Sequence, residues 1–270
     1  MTVEATQGIH RLWPEGGALI GMIHLLPLPG APRWRGSMAE VVEGALRDAD
    51  ALLGGGMDGI LVENFLDVPF FADAVPPETV AAMARVVASV VASSPAPVGV
   101  NVLRNDARAA LAIATASGAR FIRVNVHTGT MWTDQGAIEG RAAETLRARA
   151  ALGADVAILA DVLVKHATPP PGLTVAAAAA DTWSRGLVDA LVVSGTGTGQ
   201  ATDLRRVEEA RRGAPGAPVL VGSGVTPATV RQVLDTADGA IVGTSLTAAG
   251  RAGSGVDRSK VRTLVQAAGR

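Results

Sequence analysis

PVLVGSGVTP (residues 218–227) and GAIVGTSL (residues 239–246) are the two stretches that decide the fold of this chain. Each is a short apolar run that ends in glycine and small hydroxyl residues, and a helix-length segment separates them. Glycine at the end of a strand lets backbone N–H groups approach an anion closely. Two such turns near the C-terminal end are typical of the phosphate pocket of a (β/α)8 barrel. The two stretches therefore predict a barrel fold with an anion site.

Strand-like and helical patterns alternate along the whole chain. The eight strand-like runs are 18–25, 59–64, 97–103, 121–126, 156–164, 190–195, 218–224 and 239–246. The helical patterns cover 38–53, 76–93, 106–116, 137–152, 174–185, 203–212, 227–236 and 257–268. Strict alternation implies parallel strands with helices outside, and eight uninterrupted repeats favour closure. We therefore expect an α/β fold, a single (β/α)8 TIM barrel over residues 18–270, with residues 1–17 as a lead-in or barrel-bottom plug.

The composition narrows the classes of function. Of the 270 residues, 48% are hydrophobic and 18% charged, which suffices for a large core. A formal net charge of −1 without a basic run argues against a nucleic-acid partner. The absence of cysteine excludes thiol catalysis and thiolate metal sites. Neither a signal peptide nor a transmembrane segment is apparent, so a cytoplasmic location is expected. The oligomeric state, including a homo-oligomer, stays open.

The ends of the predicted strands carry the candidate site, because active sites of (β/α)8 barrels lie at the carboxyl ends of the strands. The first five ends are polar or charged, whereas the last three are small and glycine-rich, which predicts a reactive half facing a phosphate-binding half. The candidate catalytic residues are His24, Glu63, Asn101, Arg123, Asn125, Asp161 and Lys165. The candidate phosphate-binding residues are Ser194, Gly195, Gly197, Gly222, Ser223, Gly224, Gly243, Thr244 and Ser245.

The candidate catalytic residues suit several roles. Arg123 and Asn125 share one face of their strand because side chains alternate along it. Arg123 and Asp161 lie on neighbouring strands and could form a buried pair, either structural or part of the site. Burial would lower the proton affinity of Lys165, which suits a Schiff base, a general base or a simple anion contact. Glu63 or Asp161 would be the acid/base and Arg123 the electrostatic stabiliser.

Three further candidates also have structural interpretations. His24 could be a satisfied core histidine, and Asn101 and Asn125 could serve interior hydrogen bonds alone.

The predicted site is assigned no metal and no cofactor. Oxygen ligands for Mg²⁺ could nevertheless come from a set of carboxylates. That set is Glu63, Asp67, Asp106, Asp134 and Asp161. No histidine pair has the spacing of a zinc site.

Long motifs throughout the chain resemble the BtpA/SgcQ family. They are GMIHLLPLPGAP (21–32), GGMDGILVENFLDVPF (55–70), GVNVLRND (99–106), GARFIRVNVHTGTMWTDQG (118–136), ILADVLVKHATP (158–169), SGTGTG (194–199), GSGVT (222–226) and GTSL (243–246). The resemblance runs from about residue 18 to the end of the chain. It implies a barrel of the ribulose-phosphate-binding type with a phosphorylated small-molecule ligand. The family's cyanobacterial namesake is linked to photosystem I accumulation as a peripheral membrane-associated factor, so the resemblance also leaves peripheral membrane association open.

Three functions are compatible with these residues. The favoured one is an enzyme that acts on a small phosphorylated sugar or related phosphometabolite through isomerase or lyase (aldolase-type) acid/base chemistry. The first alternative is a non-catalytic biogenesis or assembly factor that retains a phosphate site and exposes an apolar patch. Candidate patch residues are Trp13, Trp34, Phe70 and Phe71. The second alternative is a metal-dependent phosphate-ester or nucleotide hydrolase.

Overall fold

The computed structural model describes residues 7–195 and 197–270. Residues 1–6 of the predicted lead-in and Thr196 of the SGTGTG motif lie outside the described residues. The strands are β1 (Ala18–His24), β2 (Gly59–Glu63), β3 (Val98–Asn101), β4 (Phe121–Val124), β5 (Thr130–Thr133), β6 (Gly136–Glu139), β7 (Ala157–Val162), β8 (Ala190–Val193), β9 (Val219–Val221) and β10 (Gly239–Val242). The α-helices are α1 (Gln7–Leu12), α2 (Met38–Leu53), α3 (Pro77–Ser93), α4 (Ala107–Ser117), α5 (Ala142–Ala151), α6 (Val175–Ala180), α7 (Leu204–Gly213), α8 (Val230–Thr236) and α9 (Arg258–Ala267).

Eight parallel strands close into a barrel in the order β1-β10-β9-β8-β7-β4-β3-β2. The (β/α)8 fold expected from the alternation of patterns is therefore confirmed. Each barrel strand ends earlier than the apolar run that predicted it. The last residues of each run lie in the loops at the carboxyl end of the barrel. No described helix combines the length and the apolar character that crossing a membrane requires.

Helix boundaries follow local capping chemistry. Ser37 Oγ accepts a hydrogen bond from the Glu40 amide at the start of α2. Asp106 Oδ1 accepts one from the Ala109 amide at 2.8 Å, and Gly118 ends α4 with φ 81°. A positive φ is accessible to glycine at little cost. The expected cap and stop of this helix are confirmed.

The helix predicted over 137–152 is wrong in its first part. β5 and β6 form an antiparallel hairpin in which Met131 pairs with Ile138, and α5 begins only at Ala142. Met131 and Ile138 are buried against Val126 and Val164, while the neighbouring positions of both strands point outward. This alternation has the period of a strand, and it overrides the helical propensity of the residues around it.

Two other helix boundaries also differ from the prediction. Residues 226–229 form a turn, so α8 begins at Val230 rather than at residue 227. The pattern over 174–185 is α6 followed by a five-residue π-helical turn, Asp181–Arg185.

Described residues of the segment before β1, which we call the plug, pack at the amino end of the barrel. Trp13 is 8% exposed, its indole donates a hydrogen bond to the Asp58 carbonyl at 2.8 Å, and its ring lies 5.4 Å from that of Phe121. The interpretation of Trp13 as part of an exposed apolar patch is therefore wrong. Trp34 is half-buried against the core, Phe70 is half-buried, and Phe71 is 57% exposed.

Candidate active site

The carboxyl ends of the barrel strands place a layer of side chains inside the barrel. Inward and outward positions alternate along each strand. On β1, Ile20 and Met22 face the interior core, while Leu19 and Ile23 pack among the helices. Continuing the inward series reaches one residue of each strand within one position of its end. They are His24, Glu63, Asn101, Arg123, Asp161, Ser194, Gly222 and Gly243. Polar side chains thus fill one part of the layer, and two glycines leave another part open.

Arg123 and Asp161 form a bidentate pair in this layer. The guanidinium donates from Nε to Oδ2 at 2.9 Å and from Nη2 to Oδ1 at 2.7 Å. Asp161 also accepts from Asn125 Nδ2 at 2.9 Å and from Ser194 Oγ at 3.3 Å, and its side chain is fully buried. Burial disfavours the charged form of Arg123, yet Asp161 raises its pKa overall. The buried pair that the sequence suggested is confirmed, and Asp161 has both oxygens occupied.

Asn125 contributes an unsatisfied atom to this network. Its Oδ1 is buried and has no hydrogen-bond partner in the structure. Buried acceptors are rarely left unpaired in folded proteins. The described protein atoms therefore do not satisfy this layer completely.

Glu63 is the buried carboxylate that faces the interior cavity. Oε1 accepts a hydrogen bond from Asn101 Nδ2 at 2.7 Å, which fixes the orientation of the carboxylate. Oε2 lies 3.9 Å from His24 Nε2. Burial lowers the pKa of His24, which Glu63 opposes and Lys165 and Arg123 reinforce. The lowered pKa favours the neutral form of His24. Among the described residues, Glu63 Oε2 has no hydrogen-bond donor.

Lys165 lies beyond the end of β7 and reaches into the same interior. Burial lowers its pKa, and the nearby Arg123 lowers it further, while Glu63 and Asp161 act in the opposite direction. The lowered pKa expected from the sequence is confirmed in direction. A larger fraction of Lys165 is thus the neutral, nucleophilic amine at neutral pH than for an exposed lysine.

Two adjoining cavities open at this end of the barrel. The first, which we call the glycine compartment, has a volume of about 190 Å³ and is lined by the ends of β9 and β10. The second, the polar compartment, has a volume of about 400 Å³ and is lined by loops after β2, β3, β4 and β7. Glu63 and Lys165 line both cavities. They stand at the junction between the two.

Six of the nine predicted phosphate-binding residues line the glycine compartment. They are Gly222, Ser223, Gly224, Gly243, Thr244 and Ser245. Ser194, Gly195 and Gly197 do not line it. Ser194 joins the Asp161 network, and the Gly195 amide donates to Ser223 Oγ at 2.7 Å. From the same loop, Thr198 and Gly199 reach the cavity instead.

Glycine is required at two positions of this compartment. Gly222 is packed so closely that a Cβ there would come within 2.5 Å of both Ser194 Oγ and Val192 Cγ1. Gly224 has φ +69°, and a Cβ there would collide with the Gln200 carbonyl oxygen. Among the described residues, the amide nitrogens of Gly224 and Thr244 have no hydrogen-bond acceptor. Free amides beside a cavity are suited to binding an anion.

The predicted catalytic residues are divided between the cavity walls and the layer behind them. His24, Glu63, Arg123 and Lys165 line the glycine compartment, and Asn125 lines the polar compartment. Asn101 and Asp161 lie behind Glu63 and Arg123, respectively, and hold them in place.

The sequence analysis gave no role to three residues that line the polar compartment, Arg104, His166 and Phe65. Asp134 and Phe70 line it too, although the sequence suggested them only as a possible Mg²⁺ ligand and as part of an apolar patch. They lie in loops, where strand periodicity gives no indication of direction, although Arg104 and His166 fall in the LRND and VKHA motifs. Over residues 7–195 and 197–270, no three histidine, aspartate or glutamate side chains are grouped so as to hold a metal ion.

Comparisons with known proteins show strong similarity along most of the chain. A family model described as the BtpA family matches residues 16–270. The Photosystem I biogenesis protein BtpA of Synechocystis sp. is 49% identical over 251 residues, which cover 92% of this chain and 87% of that protein. The putative sgc region protein SgcQ of Escherichia coli is 32% identical over 252 residues, which cover 92% and 93% of the two chains.

The solved structure of thiamine phosphate pyrophosphorylase from Pyrococcus furiosus has the same fold. It matches with a TM-score of 0.56 over 93% of this chain and 95% of that chain, at 15% identity. Similarity at this level of identity shows the barrel fold alone.

Proposed function

The chain belongs to the BtpA family, and we propose that it is an enzyme acting on a small phosphorylated sugar or a related phosphometabolite. The reaction is proton transfer at carbon, as in an isomerase or an aldolase-type lyase. The single observation that carries the proposal is the position of Glu63 and Lys165, which line both the glycine compartment and the polar compartment. A ligand that spans both cavities must place its middle atoms against these two side chains.

The glycine compartment supplies the phosphate site in this proposal. The free amides of Gly224 and Thr244 would donate to phosphate oxygens. Arg123 and Lys165 line the same cavity and add positive charge. Because the side chain of Lys165 also reaches the polar compartment, binding phosphate would fix the rest of the ligand relative to it.

Glu63 is the acid/base of the proposed reaction. The sequence left Glu63 and Asp161 as alternatives, but Asp161 is fully buried with both oxygens occupied by Arg123. Glu63 has Oε1 held by Asn101, and Oε2 lies 3.9 Å from Nε2 of His24, a residue that lines the glycine compartment with it. Its carboxylate would take a proton from the carbon next to a carbonyl group and return it to the neighbouring carbon. Arg123 and Lys165 would stabilise the negative charge that develops on the carbonyl oxygen.

Lys165 offers a second route. Its lowered pKa provides neutral amine for attack on a carbonyl carbon. The amine would form an imine with release of water, and Glu63 would then move protons on the adjacent carbon. If Lys165 forms no imine, its ammonium group instead stabilises the negative charge on the carbonyl oxygen, as described above. Both routes require Lys165 to face the bound carbonyl group.

Thermal stabilisation by a panel of phosphorylated sugars tests this proposal, with inorganic phosphate and unphosphorylated sugars as controls. A ligand at about 100 times its dissociation constant stabilises by about 2.7 kcal/mol. We expect at least one phosphorylated sugar to exceed phosphate alone. A panel without any shift would contradict the proposal and favour the assembly-factor alternative. Release of phosphate that EDTA abolishes would favour the metal-dependent hydrolase instead.

A further inference from the structure

Arg104 is a buried guanidinium that forms no ion pair with any described carboxylate. Burial lowers its pKa, and the more distant Asp161, Glu63 and Asp134 act in the opposite direction. Arg104 is 5% exposed, and Nη2 donates a hydrogen bond to the Lys165 carbonyl oxygen at 2.7 Å. Arg123, which is 2% exposed, has both carboxylate oxygens of Asp161 as its partners. Buried charges are normally paired because desolvation is costly.

Arg104 lies at the wall of a cavity, where a bound ligand could supply the missing anion. Arg104 lines the polar compartment together with Glu63, Asn125 and Lys165. Asp134 lines the same compartment from the hairpin, but it is exposed and forms no ion pair with Arg104. The guanidinium carries five N–H donors in a planar fork that matches a carboxylate.

We propose that the substrate carries a second anionic group, a carboxylate, which Arg104 binds in the polar compartment. This inference rests on the proposed function and specifies its substrate class as a phosphorylated sugar acid or a related phosphorylated carboxylate. The phosphate lies in the glycine compartment, and the reacting carbons lie between the two anions, against Glu63 and Lys165. A carboxylate fits better than a second phosphate, because its single negative charge is balanced by the single positive charge of the Arg104 guanidinium, whose planar fork matches its two oxygens.

A purely structural role for Arg104 leads to a different expectation. Its hydrogen bond to the Lys165 carbonyl holds the loop after β7, in which Leu163 and His166 have φ values of 53° and 57°. If Arg104 only held this loop, its loss would weaken the binding of all phosphorylated ligands alike. If Arg104 binds a carboxylate, its loss weakens only the binding of ligands that carry a carboxylate.

Calorimetric dissociation constants for matched ligand pairs distinguish the two roles. The pairs are glycerol 3-phosphate with 3-phosphoglycerate, erythrose 4-phosphate with 4-phosphoerythronate, and glucose 6-phosphate with 6-phosphogluconate. Fructose 6-phosphate with fructose 1,6-bisphosphate reports on a second phosphate. The variants are Arg104→Gln and Arg104→Lys, with Arg108→Gln as the control because Arg108 is exposed at the start of α4.

We expect wild type to prefer the carboxylate member of at least one pair by about tenfold or more. Arg104→Gln should lose this preference and leave the affinity for the other member nearly unchanged. Arg104→Lys should keep part of the preference, and Arg108→Gln all of it. The wild-type and Arg104→Lys data suffice if Arg104→Gln does not fold.

Three results would overturn the inference. They are equal affinity within every carboxylate pair, equal weakening of both members in Arg104→Gln, and a preference confined to the bisphosphate. The proposed function survives each of them, because a phosphorylated ligand still binds. Failure of every phosphorylated compound to bind wild type would instead overturn the proposed function.

Discussion

Arg123 and Asp161 share two hydrogen bonds, of 2.9 and 2.7 Å, in the interior of the barrel. Asn125 and Ser194 occupy the remaining acceptor positions of Asp161. The arrangement holds the Arg123 guanidinium at the wall of the glycine compartment. Asp161 therefore acts on a ligand only through Arg123, as a positioning residue.

Replacing Asp161 with asparagine should destabilise the protein strongly. The substitution leaves the Arg123 charge buried without its counter-ion, which costs about 3–5 kcal/mol. Urea unfolding measures the change. Asp155→Asn is the control, since Asp155 pairs with Arg11 and Arg120 at the surface, where its side chain is 58% exposed. Such pairs are worth about 0–1 kcal/mol. If Asp161→Asn and Asp155→Asn lowered the free energy of unfolding equally, the result would contradict a buried ion pair between Arg123 and Asp161.

A carboxylate added at Thr244, beside the free amides of Gly224 and Thr244, should weaken phosphate binding. Thr244 lines the glycine compartment, and its hydroxyl forms no hydrogen bond with the described residues. We expect Thr244→Asp to weaken binding of the best phosphorylated sugar by at least about tenfold, because like charges repel. Asparagine has nearly the same shape as aspartate but carries no charge, so Thr244→Asn should bind the phosphorylated sugar with almost unchanged affinity. Calorimetry measures both variants. Unchanged affinity in Thr244→Asp would place the phosphate site elsewhere.

Lys165 should react with acylating reagents at a lower pH than Lys260. These two are the lysines of the chain. Burial lowers the pKa of Lys165, so its neutral amine is present at a pH where an ordinary lysine remains protonated. Lys260 donates to the Thr247 and Ala248 carbonyl groups and serves as the internal reference. Mass spectrometry of acetylated peptides across a pH series gives both profiles. Coincident profiles, or a lower midpoint for Lys260, would be inconsistent with the described environment of Lys165.

The plug at the amino end of the barrel should contribute substantially to stability. Trp13→Ala removes a buried ring that packs edge-on against Phe121, and we expect a loss of about 3–5 kcal/mol in the free energy of unfolding. Trp132→Ala is the matched control, since Trp132 is 49% exposed on β5. Chemical denaturation compares the two. A small effect of Trp13→Ala would show that the barrel does not depend on the plug.

Strand periodicity accounts for the part of the site that sequence predicts well. It places Arg123, Asn125 and Asp161 on one interior surface because inward and outward positions must alternate. The alternation of inward and outward positions does not apply to residues in loops. Nothing in the local pattern indicates that Arg104 turns inward, or that the Gly195 amide is occupied by Ser223 Oγ.

The hairpin of β5 and β6 was missed for a related reason. Its four-residue strands lie next to an alanine-rich helix, and the helical pattern of that neighbour extends into them. The pairing of Met131 with Ile138 is decided by burial against Val126 and Val164, which lie in other loops. Such contacts between distant parts of the chain leave no periodic signal in the sequence.

Hydrogen–deuterium exchange at carbon tests the central claim most directly. The protein is incubated in D₂O with the phosphorylated sugar that stabilises it most, and NMR follows deuterium at the carbon next to the carbonyl group. We predict exchange with wild type and its loss in Glu63→Gln, which keeps the hydrogen bond from Asn101 and should still bind the ligand. Binding without exchange in wild type, or equal exchange in Glu63→Gln, would contradict the assignment of Glu63 as the acid/base.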